Sequence, residues 1–369
     1  MDFTLPNYMG FGKQVTPTVL LLLFLIIARE IYPYTEPLNA EAVDGFEIEK
    51  VGSGFGGPTC LTWVSEELLL MCDRDGGRIL LLNASQGFSH TSVITGLDHP
   101  HGIHLTADHL YVSEEGVLAK YQRENLTFDQ RTVLIEGVPS GNHQTNAINA
   151  FPNGTLIWHS GSTCNVCSES DERNAALLWV HPETGDHGVL ASGVRNSFDG
   201  VWVDGVGYIF SDNGRDWEGD HPGEELNMLV VGAAYGWPDD DPEHPVPEGT
   251  LAPVATWTPH TSLNGLVLRP DGSMLPGLNA SEGNGFTLYG TVFGSWNTLL
   301  PQGHEILRID FVPTYDTNQT EPADQWDVEM TRFATDVGTP LPITFAPDGT
   351  LYYATFGGGG GLYQISAEG

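Results

Sequence analysis

A short unit that returns six times limits the fold of this chain more than any other feature. It reads turn, strand of apolar and aromatic residues, turn. The copies are EELLLMCDRDGG (66–77), ADHLYVSEEG (107–116), PNGTLIWHSG (152–161), VDGVGYIFSDNG (203–214), GFTLYGTVFG (285–294) and PDGTLYYATFGG (347–358). The first four begin about 40 to 50 residues apart, the spacing of a β-propeller blade with several short strands per repeat. Amphipathic helical periodicity is largely missing, and 45 glycines with 24 prolines punctuate the strands. The expectation is an all-β, six-bladed propeller over residues 44–369. A pair of β-sandwiches is the alternative, but it does not explain a unit that returns six times. The uneven gaps place long loops at 161–176, 214–230, 238–262 and 295–302, on the face where propeller sites form.

Ahead of the repeats, residues 19–28 (VLLLLFLIIA) form an unbroken apolar run between Lys13 and Arg29. A membrane-spanning helix needs about twenty residues. The shorter run fits a signal-peptide core or an uncleaved N-terminal anchor, with a buried core helix as the third option. Residues 29–43 read as a linker, so 1–43 is a signal or anchor segment plus linker. The protein is expected outside the cell or at its surface, touching membrane only through this segment. Five Asn-x-Ser/Thr triplets, at Asn83, Asn125, Asn153, Asn279 and Asn318, agree with that location.

Cys60 and Cys72 lie equidistant from residue 66, the expected turn of a hairpin, and would face each other across it. Cys164 and Cys167 form a lone CxxC without the second ligand pair that zinc requires. Two structural disulfides are expected, ahead of free thiols or a redox motif. The charge balance is extreme, with 48 acids against 14 bases and a formal net charge of -34. Such a surface repels phosphate, so nucleic acid is excluded as a partner. It suits a protein kept soluble in high salt, where screening weakens the repulsion. For the same reason a cluster such as Asp239–Asp241 reads as a solvated face.

Three segments carry candidate chemistry: SGNHQTN around His143, the Arg195-Asn196 pair, and the DNGRD turn of 212–216, followed by Glu225 and Tyr235-Gly-Trp-Pro. Together with HTSLNGLVLRPDG, GSWN, PQGHEILRI and the closing GTPLPITFAPDGTLYYATF, they resemble the soluble PQQ-dependent sugar dehydrogenases, especially their sorbosone-dehydrogenase-like relatives. The likeness runs from about residue 45 to the end. It implies an exported PQQ- and calcium-dependent dehydrogenase. Its substrate would be an aldose, or a related sugar hydroxyl or aldehyde, and its electron acceptor is not specified.

Under that resemblance His143 is the general base, a role that needs a group able to take a proton near neutral pH. Arg195 and Asn196 contact the cofactor, whose carboxylates suit a planar guanidinium. Otherwise Arg195 ties a loop to a neighbouring carboxylate. The backbone carbonyls of Gly214 and Arg215 would hold the catalytic calcium, and Glu225 and Tyr235 a second, structural calcium. His101 and His104 read as structural. Two departures stand out: Thr298 and the Thr339 segment occupy positions where the relatives carry basic residues. Arg269 and Arg308 are the candidates to compensate, with screening by high salt as the other route. The alternatives are a cofactor-free propeller that binds glycans or surfaces, and a calcium-dependent lactone hydrolase on a similar propeller.

Overall fold

The computed structural model describes residues 17, 19–23, 37, 39–216, 221, 223–295, 302–314, 325–357 and 359–369. The expected architecture forms: six antiparallel sheets, each built of four strands with a fifth added to one, make a six-bladed propeller. Blade 1 comprises Pro58–Trp63, Leu68–Asp73, Arg78–Asn83 and Ser89–Thr95, counted from the channel outward. Blade 2 comprises Gly102–Leu105, His109–Glu114, Val117–Glu124 and Thr127–Ile135, and blade 3 Thr145–Ala150, Leu156–Ser160, Ala176–Val180 and His187–Ser192. Blade 4 comprises Gly200–Val203, Gly207–Asp212, Glu224–Met228 and Ala255–Trp257, and blade 5 Leu263–Leu268, Phe286–Val292, Glu305–Pro313 and Trp326–Thr335. Blade 6 joins the C-terminal strands Pro340–Phe345, Leu351–Thr355 and Gly360–Ala367 to Phe46–Phe55 from the other end of the chain. Every copy of the recurring unit is the second strand of its blade.

The second strands read as continuous apolar runs because both of their faces are buried. In blade 1, Leu69 and Met71 pack toward blade 6 against Tyr352, Ala354 and Leu362. The alternate residues Leu70 and Cys72 pack toward blade 2 against Ile103, Leu110 and Val112. The core is thus a ring of layers between neighbouring blades rather than one central mass. Its closure depends on Phe55, which is 1% exposed on the N-terminal strand of blade 6 and touches residues of blade 1. Phe55→Ala is expected to cost about 3–5 kcal/mol of unfolding free energy in denaturant titration. A loss below about 1 kcal/mol would show that the layer closes without it.

Both expected disulfides are present, Cys60–Cys72 and Cys164–Cys167. Cys60 and Cys72 are direct partners on neighbouring strands. Glu41–Ala42, placed in the linker by the sequence reading, pair with Trp326–Thr335 as the fifth strand of blade 5. Residues 19–23 are helical with exposed side chains, and no described helix is long and apolar enough to cross a membrane. Most of the proposed signal or anchor, together with Asn318, lies outside the described residues. Asn125 and Asn153 are exposed, whereas the amide nitrogen of Asn279 is engaged by Glu282.

Candidate active site

In an antiparallel blade, the start of the inner strand and the end of the second strand lie at the same end of the propeller. The residues that follow each recurring unit therefore gather there with those that lead into each inner strand. They enclose a cavity of about 790 Å³ at the channel mouth. Below it, His101 and Phe198 form a floor, their rings in edge contact at 5.2 Å, and both also line a smaller cavity deeper in the channel.

Three second strands end in a buried acid that pins the connection into their own inner strand. Asp73 accepts from the Gly56 N–H at 2.7 Å, and Glu114 accepts from the Asp98 N–H at 3.0 Å. Asp212 accepts the N–H of Arg195 at 2.9 Å and of Asn196 at 2.6 Å. That last pair fixes the backbone carrying two of the candidate residues.

His143 lies on the connection into blade 3 and is half-buried in the cavity wall. Two glycines make room for this turn: a Cβ on Gly141 would sit 2.0 Å from the Thr163 carbonyl, and one on Gly161 2.6 Å from His143 Cβ. His143 Nδ1 is 2.9 Å from Ser162 Oγ, and that hydroxyl donates to the Cys164 carbonyl at 2.7 Å. A hydroxyl has one proton to give, so toward the ring Ser162 accepts. Nδ1 therefore carries the hydrogen, and Nε2 keeps its lone pair as a base. Burial, helped by the Arg195 charge, lowers the ring's pKa to about 3, well below the near-neutral value expected from the sequence, so the ring is neutral at pH 7 and a weaker base than a free imidazole. In the free protein the His143 imidazole signals are expected not to titrate between about pH 8 and 5 in NMR spectra; a midpoint above about 5.5 would contradict the environment described.

Arg195, only 4% exposed, lines the cavity edge with most of its donors already used. Its Nε donates to the Asn165 carbonyl at 3.2 Å and one terminal nitrogen to the Asn213 carbonyl at 3.1 Å. The other terminal nitrogen donates to Asn165 Oδ1 and to Asp216 Oδ2, both at 2.9 Å. Four of its five N–H groups are thus committed, leaving one toward the cavity. Arg195 therefore ties its loop to a carboxylate and also reaches the cavity. Asn196 lines the cavity too, its Oδ1 accepting from Asn146 at 3.2 Å.

Gly214 lines this cavity and also a second, much smaller one of about 10 Å³ behind it, where Arg215, Glu225 and Tyr235 lie with Asp212 and Asp240. The structure thus gathers His143, Arg195, Asn196 and Gly214 around one space and sets Arg215, Glu225 and Tyr235 in the other. Arg215 donates to the Pro238 carbonyl at 2.9 Å and to Asp240 at 2.8 Å. The Tyr235 hydroxyl donates to the Met228 carbonyl and accepts from the Val230 N–H. Asp212 and Glu225 are direct neighbours on adjacent strands, an arrangement that costs energy when both are charged. Burial, reinforced by the neighbouring carboxylates, pushes Glu225 up to about 8; burial likewise raises Asp212 to about 7.

Several cavity groups were not singled out in the sequence. Arg74, from the turn after the second strand of blade 1, donates to Gln144 Oε1 at 3.3 and 3.1 Å and sits 6.0 Å from the Phe356 ring centre. Asp216, Glu224 and Glu115 bring carboxylates to the wall. The Asn213 side-chain oxygen is buried with no hydrogen-bond partner. His101, read as structural, lines the cavity, with Nδ1 2.6 Å from Asn146 Oδ1.

Neither candidate for compensation, Arg269 or Arg308, lines the cavity. Arg269 is buried among the carbonyls of Leu275 and Ser273, and Arg308 pairs with Asp310 in blade 5. Thr339 instead pins the backbone beside the cavity, its hydroxyl donating to the Phe356 carbonyl at 2.8 Å. Thr298 lies outside the described residues.

No protein-family model matches the chain, and no curated protein matches its sequence. Solved structures do match. The holo PQQ domain of pyranose dehydrogenase from Coprinopsis cinerea superposes with a TM-score of 0.73 at 16% identity, covering 90% of this chain and 98% of that one. A calcium structure of a carbohydrate-active enzyme of family AA12 from Trichoderma reesei gives 0.68 at 16% identity, covering 91% and 98%. The PQQ-bound aldose sugar dehydrogenase of Streptomyces coelicolor gives 0.65 at 17% identity, covering 91% and 100%. This chain has their six-bladed fold. The shared architecture spans nearly the whole of each of these chains, so the cavity described above opens on a propeller of the same build.

Proposed function

We propose that the protein is a sugar dehydrogenase that uses PQQ and calcium to oxidise an aldose or a related sugar hydroxyl or aldehyde. The observation that carries this reading is the imidazole of His143, oriented with its Nε2 lone pair unprotonated beside two guanidiniums at the mouth of a propeller of this fold. PQQ, when bound, supplies the hydride acceptor, with calcium polarising its reacting carbonyl. His143 Nε2 takes the proton from the sugar hydroxyl, and Ser162 keeps the other ring nitrogen protonated. Arg195 and Arg74 offer positive charge to the cofactor's carboxylates, Asn196 orients it, and Phe293, Leu341 and Phe356 give the cavity an apolar wall.

The donors present suit a hard cation. The cavity offers Gly214 and the unpartnered Asn213 oxygen, and the smaller space offers Asp212, Glu225 and Asp240. The backbone carbonyls of Gly214 and Arg215 would hold the first calcium, and Glu225 with Tyr235 the second. Burial keeps Glu225 and much of Asp212 protonated near neutral pH, and a divalent ion there would favour their charged forms. The apolar N-terminal run and the two disulfides support export.

Absence of the expected basic residues favours a second reading, a cofactor-free propeller that binds a glycan. The test is reconstitution of the purified protein with PQQ and calcium in high salt, following dye reduction with a panel of aldoses. Turnover dependent on both additions supports the dehydrogenase. No quinone binding and no turnover would favour the glycan binder, and calcium-dependent, quinone-independent lactone hydrolysis would favour a hydrolase.

A further inference from the structure

One small loop holds two of the cavity's chemical groups at once, and a disulfide closes it. Cys164 and Cys167 are bonded, with only Asn165 and Val166 between them. The Cys164 carbonyl receives the Ser162 hydroxyl and thereby decides which nitrogen of His143 carries hydrogen. Asn165 takes two N–H groups of Arg195 and receives the N–H of Asp216 at 2.9 Å, joining this loop to the one that carries Gly214. Its carbonyl also accepts the indole N–H of Trp237 at 3.0 Å. Glu169 anchors the start of the loop through the backbone and hydroxyl of Thr163 at 2.7 and 2.8 Å.

We propose that the Cys164–Cys167 loop is a positioning device for the base and the guanidinium, and that opening its disulfide disables the site without unfolding the propeller. Ser162 and Asn165 are the positioning residues. An unconstrained loop has far more conformations, and although Trp237, Asp216 and Glu169 also hold the loop by hydrogen bonds, the disulfide is its only covalent closure among the described residues. The chemistry of opening is simple. A dithiol gives two electrons and two protons to the S–S bond, yielding two thiols, and itself closes to a disulfide. Cys164 and Cys167 are both partly exposed on a surface loop, whereas in the other disulfide Cys60 is partly exposed and Cys72 fully buried, so the Cys164→Ser and Cys167→Ser pair is the variant that opens this loop alone.

The catalytic consequence rests on the dehydrogenase reading, but the positioning does not, and the experiment separates them. On the full chain without cofactor, nitrogen-15 NMR reads the His143 tautomer and the exchange rate of the Arg195 Nε proton. The oxidised protein is expected to show a single tautomer with hydrogen on Nδ1. Dithiothreitol treatment, or the pair Cys164→Ser and Cys167→Ser, should give a mixture of tautomers and Arg195 exchange faster by about tenfold or more. Should the cysteine pair fail to fold, Ser162→Ala is expected to mix the tautomers and Asn165→Ala to speed the exchange, with Ser162→Thr restoring the single tautomer.

In PQQ-loaded protein, the Cys164→Ser and Cys167→Ser pair, which opens the loop with no dithiol present to reduce the quinone, should lower kcat by about ten- to a hundredfold. Unchanged tautomer and exchange in folded, reduced protein would overturn the proposal. Changed NMR signatures in a protein that never turns over sugar would uphold the positioning and count against the dehydrogenase.

Discussion

Replacing His143 with alanine is expected to lower kcat for aldose oxidation in the PQQ- and calcium-loaded protein by about 10²–10⁴-fold, the usual worth of a positioned general base. His143 combines a neutral imidazole, a hydrogen fixed on Nδ1 and an Nε2 lone pair kept free of protons to well below neutral pH. His101 shares these features but sits in the cavity floor against Phe198, so His101→Ala is the matching control. His143 lies on a surface connection rather than in a core layer, so the melting temperature should move by only a few degrees. Quinone affinity should change little, because the imidazole is neutral and adds no charge for the carboxylates. Added imidazole should restore part of the lost rate, whereas retained turnover in the alanine variant would remove the assigned base.

Chelating calcium is expected to weaken PQQ binding by about a hundredfold or more. The described cavity wall carries two guanidiniums, Arg74 and Arg195, and three carboxyl groups, Glu115, Asp216 and Glu224, of which burial raises Glu224 to about 7. Arg195 already pairs with Asp216, and Arg74 with Asp75. A trianionic ligand entering such a wall meets like charge. One such contact costs about 4 kcal/mol at 4 Å in a medium of effective dielectric near 20, so even a more distant one accounts for about a hundredfold. A divalent ion beside Gly214 and Asn213 reverses the sign of that field. Titration of PQQ into apo protein, followed by protein fluorescence with calcium or with chelator, checks this. Equal affinity in both would mean that the arginines alone satisfy the cofactor.

The fold was legible because each blade repeats the same buried second strand, and burial on both faces forces that strand to be apolar. His143, Arg195 and Asn196 were singled out because each sits in a short motif that resembles one in the PQQ-dependent sugar dehydrogenases, and all three line the cavity. Arg74 was not. Its DRDG turn looks like any acidic turn, and only closure of the ring brings it to Gln144, 70 residues away in sequence. Asp73 and Glu114 were also hidden, since among 48 acids each passes for a solvated charge, and Asp212 was quoted only as part of the DNGRD turn. Their common position at the end of a recurring strand was the available signal.

The long excursion of 229–254 shows the opposite limit. It leaves blade 4 at the far end, yet pairs beside Ser192 on the flank of blade 3 and carries Trp237 up to Asn165. No local pattern specifies that path.

The most direct test of the central claim is anaerobic mixing of PQQ-loaded protein with an aldose in a stopped-flow instrument. The oxidised-quinone absorbance is expected to disappear in a single turnover, deuterium at the sugar's C1 to slow this several-fold, and His143→Ala all but to stop it. Bound quinone whose absorbance is untouched by any aldose would contradict the account.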